Sequence, residues 1–257
     1  MSRQPGLLRI GVAGRVATLA GVLGVVAAAV PLLVTAQAPA PSKTVWDGVY
    51  TDAQAARGRS AFQQHCAECH GASLEGGEAV ALKGERFNLS WKESTVDRLF
   101  KQISTNMPMS EDGSLAGSLA RGVYVDIVAL VLQGNGFPAG AAELTPENAV
   151  GVAIQEKNGP GELPHSASAQ VVGCLTRTGP RAWKVTRGSK PVRSGPLETR
   201  LDASAALGDR EFPLLFVLTN LDKLENNRVL ATGRLEGEAG AKGINVSTVT
   251  SQGAACQ

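Results

Sequence analysis

The sequence predicts a multidomain chain in which an all-α domain is followed by a small all-β barrel. Three observations predict this division. Apolar residues recur at helical spacing up to about residue 165, and strand-like alternation follows. The net charge changes sign at the same point, from −4 over residues 44–145 to +4 over residues 165–257. Residues 145–169 are rich in proline and glycine, which is typical of a linker.

The composition excludes several classes of protein. A hydrophobic fraction of 43% and a charged fraction of 19% are typical of a globular protein, not of a disordered one. The formal net charge is only +2, so a nucleic-acid binder that works through bulk electrostatics is not expected. Four cysteines are too few for a disulfide-dense scaffold.

The amino end predicts export. Three arginines lie within the first 15 residues, and an uncharged, largely apolar stretch follows over residues 16–36. This pattern predicts a signal peptide over residues 1–36, cleaved after Ala36. The apolar run is almost long enough to span a bilayer, so an uncleaved membrane anchor through residues 16–36 is the alternative. Residues 37–44 are then a linker, and the remaining chain is expected to be periplasmic or exported.

Three amphipathic helices are predicted within residues 45–145. Thr51 and Gln54 predict a capping box for the first helix, which leads into a pair of cysteines. Ser94 and Asp97 resemble a second cap, and a third helix is predicted near residues 124–132. The apolar faces consist of Ala55, Gly58 and Phe62 in the first helix, of Val96, Leu99, Phe100 and Ile103 in the second, and of Tyr124, Ile127, Val128 and Val131 in the third.

The segment Cys66-Ala67-Glu68-Cys69-His70 is the most specific motif in the chain. The pattern C-x-x-C-H is the attachment site of c-type haem. Two thiols at this spacing can each form a thioether with one vinyl group of the porphyrin. The histidine that follows is then placed to be the proximal ligand of the iron.

A distal ligand is predicted almost by elimination. A thioether is a good axial ligand for haem iron, and the chain has three methionines. Met1 leaves with the signal or lies far from the haem, so Met107 is preferred and Met109 is the second choice. The proline between them stiffens the loop. His65 adjoins the first cysteine and cannot reach the opposite face, and His165 in the linker is a remote candidate.

With these ligands assigned, residues 45–145 resemble a class I, monohaem cytochrome c domain. The resemblance rests on VWDGVYTDAQAARGRSAFQQHCAECHGASLEGGEAVALKGERF, MPMSEDGSL and YVDIVALVLQGNGFPAG, and it is to the domains that accompany bacterial quinoprotein dehydrogenases. It implies one covalently bound haem c, attached by Cys66 and Cys69, with His70 as proximal and Met107 as distal ligand. Val80 stands where such domains usually have a proline whose carbonyl orients the proximal histidine. Any residue offers that carbonyl, so the hydrogen bond is still expected.

Residues 146–169 are interpreted as a linker, and residues 170–257 as a small β-domain. Short runs separated by Gly, Pro and Asn are typical of a small, OB-like barrel. The string VVGCLTRTGPRAWKVT resembles the start of small bacterial β-modules and implies no activity. Cys174 and Cys256 could form a disulfide in an oxidising periplasm, or be a buried apolar residue and a frayed end respectively. The predicted strands cover residues 170–176, 182–186, 212–219, 228–235 and 243–250.

The leading functional hypothesis is an electron carrier, not an enzyme. Met/His ligation saturates the iron, which suits the transfer of single electrons. The expected donor is a separate periplasmic dehydrogenase of the quinoprotein type, and the expected acceptor is an oxidase or cytochrome of the respiratory chain. The acidic charge of the haem domain favours a partner with a basic docking face.

Other functions have less support from the sequence. A haem-based sensor or ligand-binding protein, with the β-domain as the module that binds a partner or ligand, is the principal alternative. Cys66, Cys69 and His70 could form a zinc site completed by Cys174 and Cys256, but this leaves the helices and Met107 unexplained. A thioredoxin-like disulfide would need a βαβ unit that is absent from the pattern, and a peroxidase would need a distal His or Arg motif.

Overall fold

The polypeptide folds into a helical region followed by a sheet region in the computed structural model, which describes residues 43–110, 115–237 and 243–256. All of these residues belong to one compact unit. The predicted signal or anchor over residues 1–36 lies outside the described residues. No helix of the described part is long and apolar enough to cross a membrane.

Five α-helices form the first region within the described residues, and α5 (Arg121–Gly134) contributes more buried side chains to its core than any other element. The central part of α5, from Tyr124 to Leu132, is buried except for Asp126. It packs against α1, whose buried face includes Phe62. The helices are α1 (Asp52–His65), α2 (Ala67–His70), α3 (Gly84–Trp91), α4 (Val96–Asn106) and α5 (Arg121–Gly134).

Two short strands belong to this helical region. Strand β1 (Ser94–Thr95) lies between α3 and α4 and pairs antiparallel with β2 (Ala153–Ile154). Ile154 is fully buried in the helical core together with Ala149 and Val152. Residues 146–169, interpreted above as a linker, therefore contribute side chains to the core around the helices. The predicted domain boundaries themselves stay predictions.

Within residues 115–237 and 243–256, the second region is a mixed sheet of six strands in the order β4-β6-β8-β7-β3-β5. All neighbours pair antiparallel except β6 and β8, which are parallel. Strand β3 also pairs with β4, so five of the strands form a closed ring. The strands are β3 (Ser168–Gly179), β4 (Ala182–Gly188), β5 (Val192–Arg193), β6 (Arg210–Leu215), β7 (Asn227–Glu236) and β8 (Gly243–Ala255).

The fold class predicted from the sequence, an all-α class I cytochrome c domain followed by a small all-β, OB-like barrel, is wrong as a description of the chain. The sheet is large and mixed, and the helical region contains strands of its own. Strands of two residues carry no alternating pattern, and strand direction is not encoded in a strand's own residues. The part of the prediction that agrees with the structure is the order of a helical region followed by a closed arrangement of strands.

A disulfide joins Cys174 in β3 to Cys256 after β8, with 5.7 Å between their Cα atoms. It closes a loop of 82 residues that contains most of the sheet. Changing both cysteines to serine is expected to lower the free energy of unfolding by about 2–4 kcal/mol, because the unfolded chain gains conformational freedom. Denaturant unfolding of the two proteins measures this loss. Equal midpoints would contradict a stabilising bridge, and reductant added to the native chain should reproduce the loss.

Candidate haem-binding site

The cysteine motif lies at the junction of α1 and α2. Thr51 caps α1, since its hydroxyl accepts a hydrogen bond from the backbone N–H of Gln54 at 3.1 Å. Gln54 does not complete the predicted capping box, because its buried side chain is hydrogen-bonded to the backbone of Leu144. Cys66 is both the C-cap of α1 and the N-cap of α2. His70 therefore lies one helical turn further on, with its N–H donating to the Cys66 carbonyl at 2.9 Å.

Both motif cysteines are free thiols in this structure. Cys66 is partly buried and packs against the helical core, whereas Cys69 is exposed. Burial, with a smaller contribution from Cys69, raises the pKa of the Cys66 thiol to about 11. At neutral pH the haem-free chain therefore holds this sulfur as a protonated thiol, beside a second thiol that solvent can reach.

His70 is buried, with 7% of its surface exposed, and its ring orientation is fixed. Its Nδ1 lies 2.7 Å from the carbonyl oxygen of Val80. Because a carbonyl can only accept, Nδ1 is the donor, and in the neutral tautomer that this bond selects, Nε2 has the lone pair. The hydrogen bond expected at Val80 is present, although the residue is not a proline. This arrangement prepares Nε2 as a metal ligand and orients the ring.

The loop after His70 folds back over α2. Gly71 has a φ of +77°, and a Cβ there would lie 2.6 Å from the Glu75 side chain, so glycine is required for this tight turn. The carbonyls of Cys69 and His70 accept from the N–H groups of Ala79 and Gly76 at 2.9 and 2.8 Å. These bonds bring Val80 beside the histidine ring.

The two candidate distal methionines differ in how the structure holds them. Met107 caps the end of α4, with its N–H donating to Ile103 at 3.0 Å, and its side chain is partly buried. Its carbonyl accepts from the Tyr124 hydroxyl at 2.7 Å and from the Gly117 N–H at 3.1 Å. Met109 is 74% exposed. The geometry favours Met107 as the ligand, because its backbone is held by hydrogen bonds and its side chain is partly buried.

Tyr124 is the residue of this site that sequence analysis missed. It was counted as one apolar position on the third helix, but its hydroxyl lies between two backbone groups of the methionine loop. It donates to Met107 and accepts from the N–H of Leu119 at 3.2 Å. The available signal was that a buried tyrosine normally needs a partner for its hydroxyl.

The remaining histidines do not join the candidate ligands. His65 ends α1 and is exposed. His165 lies in the sheet region, exposed, with its Nε2 3.7 Å from Glu236. The zinc alternative also loses support, because Cys174 and Cys256 are bonded to each other. No group of three or more His, Cys, Asp and Glu side chains among residues 43–110, 115–237 and 243–256 could hold a metal ion.

The residues present fit a haem. A buried imidazole with a fixed tautomer and two free thiols supply the donor set of a c-type attachment site. Met107 supplies a thioether, and its own backbone N–H and carbonyl are both hydrogen-bonded. Several apolar side chains pack against the helical core and stay partly exposed, which leaves apolar surface of the kind that a porphyrin requires; they include Leu82, Phe100, Ile103, Leu119 and Val123.

Comparison with known proteins agrees with this geometry. Residues 53–124 match the family model of cytochrome C oxidase, cbb3-type, subunit III. The match includes the cysteine motif and Met107, but it covers under a third of the chain. No curated protein and no solved structure matches the chain. This similarity supports a cytochrome c domain within the helical region, a class of domain that binds haem and transfers electrons.

Proposed function

We propose that this chain is a monohaem c-type cytochrome of class I that transfers single electrons between protein partners. The observation that carries the proposal is the buried His70, whose Nδ1 is hydrogen-bonded to the Val80 carbonyl and which follows two free thiols in the sequence. In this proposal Cys66 and Cys69 attach one haem covalently. His70 and Met107 would be the protein ligands of its iron.

The chain's own residues hold this arrangement in place. The Val80 carbonyl keeps the proton on Nδ1 of His70, which makes the imidazole a stronger donor through Nε2. Tyr124 and Gly117 donate hydrogen bonds to the carbonyl of Met107 and hold its backbone in place. When bound, haem supplies an iron that gains or loses one electron. Two protein ligands leave no open position for a substrate, which supports electron transfer over catalysis.

The proposed partners are redox proteins of the periplasm. Donation by a separate dehydrogenase of the quinoprotein type is supported by the resemblance of residues 45–145. The acceptor is an oxidase or cytochrome of the respiratory chain. The net charge of −4 over residues 44–145 supports docking on a partner face that is basic. The signal or anchor pattern of residues 1–36 supports a periplasmic location, either free or held at the inner membrane.

Carbon monoxide tests the proposed distal ligand. The haem-loaded chain, reduced at neutral pH, is expected to show a low-spin c-type spectrum that carbon monoxide does not change. Met107→Ala should bind carbon monoxide readily, because it opens the sixth position. Met109→Ala is the matched control two residues away, and it should behave like the unchanged chain. Carbon monoxide binding is measured by the absorption spectrum of each of the three proteins before and after the gas is added.

Two results would contradict this assignment. Carbon monoxide binding that appears in Met109→Ala and not in Met107→Ala would exchange the roles of the two methionines. Ready binding by the unchanged chain would mean an open or labile sixth position, and the haem-based sensor would then replace the electron carrier.

A further inference from the structure

The sheet region holds the connection between α3 and α4 through one segment, residues 193–201, which we call the clamp segment. We infer that the clamp segment positions α4 and, through it, the distal residue Met107. This inference rests on the proposed function. It makes the sheet region a support of the iron site, a role that the resemblance to small β-modules does not imply.

The clamp segment has a fixed backbone because one buried side chain binds three of its backbone groups. Gln170 in β3 is only 2% exposed. Its Nε2 donates to the carbonyls of Arg193 and Thr199 at 2.8 and 2.7 Å. Its Oε1 accepts from the N–H of Leu201 at 2.8 Å. The segment is therefore part of the sheet's rigid framework and not a free loop.

Arg193 binds the carboxyl end of α3. The side chain is 7% exposed, and its guanidinium donates to the carbonyl of Asn88 at 2.9 Å and to that of Lys92. Carbonyls at this end of a helix carry partial negative charge, so a buried cation is favourable there. An arginine buried without such partners would be costly. The contact therefore fixes where α3 ends relative to the sheet.

Glu198 binds the amino end of α4. Its carboxylate accepts from the Ser94 hydroxyl at 2.7 Å and from the Arg98 guanidinium at 2.5 Å. The side chains of Arg98 and Glu198 are 23% and 13% exposed, so solvent screens this pair only in part. Thr95, the N-cap residue, makes no capping hydrogen bond with its own side chain. A carboxylate is favourable at this end of a helix, and here the sheet supplies it.

Helix α4 connects this contact to the candidate ligand. It has 11 residues, so it is about 16 Å long. Met107 is its C-cap, with the N–H bound to Ile103. A short helix moves as a rigid body, and a change at its first turn is therefore passed to its last. The clamp segment fixes one end of α4, and Tyr124 fixes the loop at the other.

Imidazole binding to the haem-loaded full chain tests this inference. Imidazole must displace the distal methionine, so its affinity reports how firmly Met107 is held. Glu198→Gln keeps the shape and removes the charge, and we expect imidazole to bind about fivefold more tightly, the low end of coupling between distant sites. Glu211→Gln is the matched control, since Glu211 pairs with Lys184 on the sheet at 2.9 Å and touches neither α3 nor α4. It should leave the affinity unchanged.

Two further variants and a measurement on the haem-free chain distinguish failure of this inference from failure of the proposed function. Arg98→Gln should match Glu198→Gln, and the double variant should add nothing further, because both act through one pair. Hydrogen exchange at the Met107 amide should be faster in Glu198→Gln than in Glu211→Gln even without haem. Equal affinity and equal exchange in the two would overturn the inference. A fall in melting temperature alone would assign Glu198 a structural role and also overturn it. Absence of haem in the unchanged chain contradicts the proposed function instead.

Discussion

A chain with both Cys66→Ala and Cys69→Ala is expected to carry no covalent haem. These residues are the free thiols among the described cysteines, because Cys174 and Cys256 are bonded to each other. A thioether cannot form without a sulfur, so the effect should be complete and not partial. Intact mass after denaturation measures it: the variant should have the mass of the polypeptide alone, and the unchanged chain that mass plus one haem.

The disulfide pair provides the matched control for this experiment. Cys174→Ser with Cys256→Ser also removes two cysteines, but from the sheet region. That protein should be less stable and still carry one covalent haem. Haem that stays attached after Cys66 and Cys69 are removed would contradict the proposed attachment, and so would a haem lost with the disulfide.

The second large effect is expected at Gly58, where α1 crosses α5. A Cβ built on Gly58 would lie 1.9 Å from the carbonyl oxygen of Asp126 and 2.4 Å from its carbonyl carbon. These are backbone atoms of a buried helix, which cannot move aside as the end of a flexible side chain could. Gly58→Ala is therefore expected to lower the free energy of unfolding by about 3 kcal/mol or more, at the upper end of overpacking effects.

Gly122 provides the control for Gly58. It lies on α5, and a Cβ there meets nothing within 4 Å. Gly122→Ala is expected to stabilise the chain by about 0.5–1 kcal/mol, because alanine loses less backbone freedom in a helix. Denaturant unfolding of both variants is the measurement. Similar stabilities would mean that α1 and α5 do not approach as closely as described.

Much of the helical region could be predicted because its signals are local. The cap at Thr51 and the apolar spacing through Phe62 predict α1, and the third predicted helix lies inside α5. The predicted cap at Ser94 was wrong, since α4 begins at Val96 with Thr95 as its N-cap. The Ser94 hydroxyl binds Glu198 instead, a partner about a hundred residues away that no local pattern indicates.

In the sheet, too, local features could be predicted from the sequence and long-range pairing could not. Each of the five predicted runs overlaps a strand of the sheet, because alternation over several residues is a local signal. Strand β5 has two residues and was missed. The parallel pairing of β6 with β8 depends on how the chain crosses over between them, which no strand encodes alone.

The candidate site divides in a similar way. Cys66, Cys69 and His70 are adjacent in sequence, so their motif was visible at once. The His70–Val80 hydrogen bond spans ten residues and was expected from the resemblance. The bond from Tyr124 to Met107 spans 17 residues and joins a helix to a loop, and periodicity alone counted the tyrosine as apolar. Contacts of this kind depend on how distant elements pack together, and no local sequence pattern specifies that packing.

A redox titration of the haem-loaded full chain, followed by its visible spectrum, tests the central claim most directly. One covalent haem with two protein ligands predicts a single reversible wave that corresponds to one electron per chain. The spectrum should be low-spin in both the oxidised and the reduced form. A chain that takes up no haem, a titration with more than one wave, or a high-spin spectrum in either form would contradict a monohaem electron carrier.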